Sequence, residues 1–240
     1  MLSKNQVKLI NSLKKKKFRL QNRLFIAEGV KVVEELIQSD FQLNGIYATE
    51  AYFNKFNIEN LHIISDKELK SISEFSNPNQ VFAIFKIPER EEIKVTGFTL
   101  VLDEINDPGN LGTIIRLCDW FGVDQLICSL HTVDCYNPKV VQASMGSLSR
   151  LSIIYTDLIV FLENDTRPVY GALLEGKNIY KTNLLNHAIL VMGNEANGIS
   201  NGIQNIITKP ITIPQFGENQ KTESLNVATA TAILLSEFRR

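Results

Sequence analysis

The chain has 240 residues, of which 44% are hydrophobic and 21% charged, and its formal net charge at pH 7 is −1. This length suits a small domain followed by a larger one, with enough apolar residues for a sizeable core. No apolar run approaches the roughly 20 residues of a membrane span, and the N-terminus lacks the apolar core of a signal peptide. Three cysteines without a CxxC pair exclude a disulfide framework and favour a cytoplasmic location.

Charge is unevenly distributed along the chain. The first 24 residues contain eight lysines and arginines and no acidic residue, whereas the remainder has 17 basic against 26 acidic residues. A basic arm on an acidic body is typical of an element that binds the phosphates of a nucleic acid. A solvated, lysine-rich helix end explains the same charge pattern. The residues that the first interpretation assigns to nucleic-acid contact are Lys14, Lys15, Lys16, Lys17, Arg19 and Arg23.

The first 88 residues predict a small α/β unit. Helical periodicity predicts helices over 5–16, 28–38 and 52–57, and a further helix that begins at Ser65 or Asp66 and runs through Ile72. Apolar segments predict strands at 43–48, 61–64 and 81–87. Residues 89–97 are charged and lack core periodicity, so we interpret them as a linker.

From residue 98 the pattern becomes a repeated alternation of strand and helix. The predicted strands are 99–103, 125–129, 151–155, 169–174 and 188–192, then a short strand near Ile211. The predicted helices are 111–121, 139–149, 158–164 and 200–207, then an apolar C-terminal helix. Such alternation is typical of a parallel sheet with crossover helices. The sequence therefore predicts an α/β domain over 98–240.

Ligands of open α/β sheets bind beyond the carboxyl ends of the strands, and three such ends are rich in polar residues. The first places Asn110 near the start of a helix and Arg116 one and a half turns later. An arginine beside a helix N-terminus suits a phosphate or carboxylate, although a capped helix with one surface arginine has the same pattern.

The second end is a tight loop, Gly193–Gly198, which carries Glu195. Its glycine spacing is that of a phosphate loop, but Ile199-Ser200 replaces the Lys-Ser/Thr pair that reaches the phosphates, which disfavours a nucleotide triphosphatase. The third end is the loop 214–226, where polar residues surround the start of the apolar last helix.

Several chemistries lack support in the sequence. A dinucleotide fingerprint GxGxxG and a nucleophile elbow GxSxG are both absent. The three histidines, His62, His131 and His187, have no metal-ligand spacing and are interpreted as structural residues, so no metal is expected.

Taken together, the three strand ends resemble the SpoU (TrmH-like) family of the SPOUT methyltransferases, which methylate a ribose 2′-hydroxyl of RNA with S-adenosylmethionine. The resemblance rests on Asn110-x-Gly112-x3-Arg116, on Met192-Gly-Asn-Glu195 through Gly198, and on Ile213-Pro through Ser224-Leu-Asn-Val-Ala. The segment Asn137-Pro-Lys-Val-Val is similar as well, and the likeness extends over about residues 98–238. The first unit looks like the small RNA-binding extension of this family.

The resemblance implies a parallel-sheet SPOUT domain with a C-terminal trefoil knot, a homodimer, and rRNA or tRNA as substrate. It assigns S-adenosylmethionine to Met192, Gly193, Ile213 and Leu225, and it assigns the reacting ribose and methyl group to Asn110, Arg116, Glu195, Ser224 and Asn226. One departure is the loop Gln215–Glu223, which is longer than in most relatives and is expected to affect substrate choice or cover the cofactor.

The chemistry of methyl transfer sets the expected role of Arg116. A guanidinium stays protonated at neutral pH and is a poor base, so we expect Arg116 to hold the ribose–phosphate and stabilise oxygen charge. The proton then leaves to phosphate, Glu195 or water. The competing hypothesis is a non-catalytic RNA-binding protein that retains the knotted fold, and a third is a methyltransferase for a small molecule, which the basic arm disfavours.

Overall fold

The computed structural model describes residues 2–49, 61–89, 92–217, 221 and 223–240. The chain divides into two compact units, Met1–Glu89 with Asp134–Arg150, and Arg90–Val133 with Leu151–Arg240. The hydrophobic pattern did not indicate that 134–150 belongs to the first unit. The helix predicted at 52–57 lies outside the described residues.

The secondary structure of the described residues alternates along the chain. The strands are β1 Leu24–Glu28, β2 Leu43–Ala48, β3 Leu61–Ile63, β4 Val81–Lys86, β5 Phe98–Leu102, β6 Gln125–Ser129, β7 Ile153–Thr156, β8 Val169–Asn178, β9 Ala188–Met192 and β10 Lys209–Thr212. The helices are α1 Lys4–Leu13, α2 Lys16–Asn22, α3 Val30–Ile37, α4 Asp66–Ile72, α5 Pro108–Trp120, α6 Pro138–Ser144, α7 Leu158–Glu163, α8 Asn201–Gln204 and α9 Val227–Phe238. None of these helices is long and apolar enough to cross a membrane.

The first unit is built on a four-stranded sheet with the order β1-β4-β2-β3. β4 pairs antiparallel with β1 and β2, and β3 joins β2 in parallel. Strand β1 was not predicted: Glu28 pairs with Phe82 as its last residue, and α3 begins only after Gly29 at φ 89°. The helix predicted at 5–16 ends at Leu13, and the lysine run that follows opens a second helix, α2.

A buried ion pair holds 134–150 within the first unit. The Arg19 guanidinium, only 2% exposed, donates from Nε to Asp134 Oδ2 over 2.9 Å and from Nη1 to the carbonyl oxygens of Leu13 and Lys14. The ring of Tyr136 packs against that of Phe25, with 4.9 Å between centroids.

The second unit contains a six-stranded sheet with the order β10-β8-β9-β5-β6-β7, in which every neighbouring pair is parallel. The predicted parallel α/β class is therefore confirmed. Central strands β5 and β9 are buried throughout, as their continuous apolar sequence requires. Because all strands run in one direction, their carboxyl ends meet at one edge of the sheet.

Several elements of this unit, among them α5 and β8, differ from the sequence prediction. Helix α5 begins at Pro108, earlier than predicted, because Asp107 caps it and proline suits the first helical turn. Strand β8 continues to Asn178. Its register with β10 shifts between the pairs Pro210–Gly171 and Ile211–Lys177, so residues 172–176 of β8 have no paired residue in β10.

Candidate functional site

The loops after β5 and β9 are hydrogen-bonded to each other at the carboxyl edge of the sheet. The Asp103 backbone N–H donates to the Met192 carbonyl over 2.9 Å, and the Asn194 amide donates to the Glu104 carbonyl over 2.7 Å. The buried Asp103 carboxylate accepts from the Ser200 N–H over 2.8 Å. These bonds fix the position of the loop that carries Glu195.

The Glu195 loop is a closed backbone turn. Asn194 and Gly198 exchange both N–H···O=C bonds at 3.0 and 2.9 Å, and Gly198 has φ 68°. A Cβ added to Gly193 would lie 2.3 Å from the Gly198 carbonyl carbon and the Ile199 nitrogen, so any side chain at 193 would push the turn open. The turn leaves Glu195 exposed.

Three of the predicted site residues are joined by hydrogen bonds. The Asn110 side-chain amide donates to Glu195 Oε1 over 2.7 Å, and the Asn226 amide donates to Asn110 Oδ1 over 3.0 Å. We call Glu195, Asn110 and Asn226 the polar triad. Its members come from three segments far apart in the sequence: Glu195 lies in a loop, Asn110 in the first turn of α5, and Asn226 at the N-cap of α9.

The orientation of both amides in the polar triad follows from the cap of α9. Asn226 Oδ1 accepts from the N–H groups of Ala228 and Thr229 as the N-cap of α9, so its NH₂ must face Asn110. Asn110 therefore presents its oxygen to Asn226 and its NH₂ to Glu195. Both amides thus direct their donors along the chain of hydrogen bonds towards the carboxylate.

Hydrogen-bonding capacity remains at this site. Each amide of the polar triad has a second N–H, and the Glu195 carboxylate has a second oxygen; no described residue bonds to any of the three. Such spare donors and acceptors can hold a hydroxyl group of a ligand.

Arg116 and Ser224 are not part of this hydrogen-bonded group. Both are exposed, and neither has a hydrogen bond or ion pair within the part of the chain that the structure describes. Arg116 lies about 120° around the helix axis from Asn110, since successive helical residues are about 100° apart. The Glu195 carboxylate accepts from Asn110 and has no bond to Arg116.

The residues assigned to the cofactor combine apolar side chains with backbone groups. Leu225 is 49% exposed immediately before the polar triad residue Asn226, and Ile213 is partly exposed directly after β10. Met192 is 3% exposed and offers only its backbone, whose carbonyl already accepts from Asp103. An accessible aliphatic surface beside amide groups fits the flat base and the sugar of S-adenosylmethionine.

The basic residues of the first unit differ in their availability. Lys15, Lys16 and Lys17 are exposed, whereas Lys14 pairs with Glu74 Oε1 at 2.9 Å. Arg23 is exposed but donates to the Pro88 carbonyl over 2.7 Å.

Arg19 is a correction to the sequence prediction. It is buried and held by Asp134 and two carbonyl oxygens, so its guanidinium cannot reach a phosphate. A single arginine within a basic run gives no sign in the sequence that its partner lies more than a hundred residues away.

The sequence analysis did not assign roles to Asp103, Asp107 and Asn194, which position the site. Asp107 Oδ1 accepts from the Asn110 N–H over 2.8 Å and so starts α5 at the right residue. Asn194 Oδ1 accepts from the N–H groups of Ala196 and Asn197 inside the Glu195 turn. The signal for Asp107 was present in Asp-Pro-Gly, a helix-starting pattern; Asp103 and Asn194 carried none beyond their place at strand ends.

A parallel sheet with hydrogen-bonded polar loops at its carboxyl edge defines a ligand-binding α/β domain. Residues 97–236 match the model of the SpoU rRNA Methylase family, and residues 4–83 match an MRM3-like substrate binding domain. The first match covers more than half of the chain. The chain belongs to the SpoU rRNA methylase family.

Individual relatives cover nearly the whole chain. The 23S rRNA (guanosine(2553)-2′-O)-methyltransferase RlmP of Bacillus subtilis is 29% identical over 99% of this chain and 97% of its own length. A TrmH-family structure from Porphyromonas gingivalis has a TM-score of 0.90 and 39% identity over 100% of this chain and 98% of that one. An AdoMet-bound rRNA methyltransferase from Sinorhizobium meliloti has a TM-score of 0.85 and 28% identity, over 100% and 95% of the two chains.

Proposed function

We propose that this chain transfers the methyl group of S-adenosylmethionine to a ribose 2′-hydroxyl of ribosomal RNA, with tRNA as the alternative substrate. The observation that carries the proposal is the polar triad, Glu195–Asn110–Asn226, at the carboxyl edge of the sheet. The full-length likeness to RlmP, an rRNA 2′-O-methyltransferase, and to an AdoMet-bound rRNA methyltransferase supports it.

The proposed reaction requires alignment and charge stabilisation from the protein. S-adenosylmethionine, when bound, supplies a methyl group already activated by the positive sulfonium. The spare N–H groups of Asn110 and Asn226 hold the ribose in a fixed orientation, because the α9 cap fixes the Asn226 amide and the bond from Asn226 fixes that of Asn110. Such alignment contributes several kcal/mol to lowering the barrier.

We assign the charge-stabilising role to Arg116. Its guanidinium is exposed and has no partner among the described residues, so it is available to the ribose–phosphate of the substrate. A guanidinium stays protonated and therefore stabilises the developing alkoxide instead of removing the proton. The proton leaves to the substrate phosphate, to the second oxygen of Glu195 or to water. Ser224 adds a neutral hydrogen bond.

The resemblance to the family supports further parts of the proposal. We propose that 98–240 contains a C-terminal trefoil knot, that two copies form a homodimer, and that the protein acts in the cytoplasm. The first unit would bind the RNA through Lys15, Lys16 and Lys17, which are exposed. Its match to an MRM3-like substrate binding domain supports this role.

A methyl-transfer assay tests the proposal. Ribosomal RNA and tRNA from a strain that lacks this gene are incubated with the purified protein and S-adenosylmethionine carrying a tritiated methyl group. We expect tritium in ribosomal RNA, at one 2′-O-methyl position that is absent from the RNA of the deletion strain.

Calorimetry with S-adenosylmethionine separates the competing function. A protein that binds RNA but shows neither cofactor binding nor tritium transfer would be a non-catalytic RNA-binding protein. Transfer to tRNA alone would replace the substrate class while retaining the reaction.

A further inference from the structure

Two exposed aromatic rings lie together in the second unit, and neither belongs to the polar triad. The ring centroids of Tyr180 and Phe216 are 6.3 Å apart, with an angle of 38° between the ring planes. Phe216 is 84% exposed and Tyr180 39% exposed. An exposed phenylalanine gains little from folding, so the pair is not explained by packing of the core.

The backbone beneath Tyr180 is firmly held. Tyr180 lies in a 3₁₀ turn, Ile179–Lys181, whose first residue is 1% exposed. The Tyr180 N–H donates to Asn178 Oδ1 over 2.9 Å, and the Thr182 hydroxyl donates to the Asn178 carbonyl over 2.7 Å. The turn therefore presents its tyrosine from a fixed base.

Both rings follow strands that end side by side. β8 and β10 are paired at their carboxyl ends, where Thr212 lies opposite Asn178. Tyr180 comes two residues after the end of β8, and Phe216 four residues after the end of β10. The aromatic pair consequently lies at the same edge of the sheet as the loops of the polar triad, and Phe216 belongs to the long loop Gln215–Glu223.

The spacing and the charge around the aromatic pair suit a nucleobase. Stacked bases are separated by roughly 3.4 Å, so a base between two parallel rings needs centroids about 6.8 Å apart. The observed centroids are 6.3 Å apart with the ring planes at 38°, so the rings must turn towards parallel and move slightly apart to admit a base. Unpaired RNA bases stack on Phe and Tyr side chains. Lys181 in the same turn and Lys221 in the same loop as Phe216 are exposed, and their charges complement the neighbouring phosphates.

We propose that Tyr180 and Phe216 clamp an unpaired base of the RNA substrate beside the reaction site, and that Phe216 thereby contributes to the choice of RNA. This proposal rests on the proposed function only in taking RNA as the substrate.

Substitutions at Phe216 separate a flat ring from simple apolar bulk. Phe216→Leu removes the ring, Phe216→Trp keeps a stacking surface, and Val160→Ala serves as the control at an apolar residue of α7 that is 56% exposed. Tyr180→Leu tests the other ring. The probe is ribosomal RNA from a strain that lacks the gene, bound by filter retention at physiological salt, alongside calorimetry with S-adenosylmethionine and light scattering.

We expect Phe216→Leu and Tyr180→Leu each to weaken RNA binding by about 5- to 100-fold, because a stacked base contributes about 1–3 kcal/mol. Phe216→Trp and Val160→Ala should bind as the unaltered protein does, and cofactor affinity should be unchanged throughout. Unchanged RNA binding in Phe216→Leu overturns the proposal. A loss of cofactor affinity in either leucine variant would show that the rings contact the cofactor. A fall in the molecular mass measured by light scattering would show that the rings form an interface between two copies of the protein. Either result also overturns the proposal.

Direct binding keeps this test independent of catalysis. If the unaltered protein binds RNA but transfers no methyl group, the proposed function fails, while the difference between Phe216→Leu and Phe216→Trp still decides the role of the aromatic pair.

Discussion

Arg19 in the first unit and Arg116 in the second have opposite surroundings. Arg19 is 2% exposed, with its guanidinium held by Asp134, Leu13 and Lys14. Arg116 is exposed, and no residue in the described ranges bonds to it. The first arginine stabilises the unit that contains it, whereas the second keeps its donors for a ligand.

The same contrast extends to the neighbouring polar groups. Around Arg19 all three guanidinium nitrogens donate to acceptors of the protein, namely Asp134 and the carbonyl oxygens of Leu13 and Lys14. In the polar triad both amides are held in place by hydrogen bonds, yet each retains one N–H to which no residue of the described ranges bonds. Fixed orientation combined with unused donors is what distinguishes a binding site from a structural network.

Arg19→Met should give the largest effect, a loss of stability, because it removes the buried ion pair of the first unit. We expect the free energy of unfolding of the first unit to fall by about 3–5 kcal/mol, because Asp134 would remain buried without its counter-ion. Urea denaturation measures the change, with the exposed neighbour in Lys17→Met as a control that shifts little. Adding Asp134→Leu should restore most of the loss; no recovery in the double variant would contradict the ion-pair explanation.

Arg116→Lys tests the other arginine. We expect the turnover number to fall about 100- to 1,000-fold, since a lysine keeps the charge but loses the planar set of donors that stabilises an oxyanion. Unfolding should be unaffected, because the side chain is exposed. The tritium assay at saturating RNA measures the effect, and near-full turnover would exclude a specific role for the guanidinium.

Asn226→Asp tests whether the hydrogen bond between the two amides of the polar triad contributes to catalysis. The carboxylate still accepts from Ala228 and Thr229 and suits a helix N-terminus, so stability should be retained. It has no N–H for Asn110, and we expect turnover to fall about 10-fold, the cost of roughly one hydrogen bond in the active arrangement.

Asn226→Ala is the matched control for that substitution. It should lower turnover as well and also cost about 0.5–2 kcal/mol of stability through loss of the cap. Turnover equal to that of the unaltered protein in Asn226→Asp would show that the Asn226–Asn110 bond has no part in catalysis.

Glu28→Gln should give the smallest effect of these substitutions, a change in how the stability of the first unit depends on pH. Burial raises the pKa of the Glu28 carboxyl above its ordinary value of 4.5, although hydrogen bonds from the Ser73 hydroxyl and the Glu74 N–H oppose the shift. The folded unit therefore loses stability as the pH rises from 4.5 through the raised pKa. Relative to the unaltered protein, Glu28→Gln should gain stability over that pH range.

Urea denaturation at several pH values checks this expectation, with the exposed Asp40→Asn as the control whose difference from the unaltered protein stays flat. A Glu28→Gln difference that is constant with pH would mean that burial does not control this carboxyl.

The sequence predicted local structure well where one element determines its own pattern. The bounds of β6 and β9 were confirmed because continuous apolar runs mark a strand buried on both faces. β1 was missed because its pairing with β4 and the left-handed backbone of Arg23 before it depend on the fold. The short α8 was predicted too long for the same reason, since an apolar run alone does not distinguish a helix from a packed turn.

The candidate site could be predicted only as a set of residues. Asn110, Glu195 and Asn226 were identified, but their order in the chain of hydrogen bonds follows from the cap that Asn226 forms on α9 in the folded protein. Likewise, a basic run in the sequence could not separate Arg19 from Lys17, because the counter-ion of Arg19 is Asp134. Long-range partners of polar groups leave no local pattern.

The first unit includes Asp134–Arg150, and this affects how the protein folds during its synthesis. A ribosome that has released only the first 89 residues has not yet made Asp134 or Tyr136, the partners of Arg19 and Phe25. The N-terminal unit therefore cannot complete its core when residues 1–89 leave the ribosome. It must wait until residues up to 150 have been made, which is about a further quarter of the chain. Folding of the two units is consequently interleaved in time, unlike the successive folding of domains that follow one another along a chain.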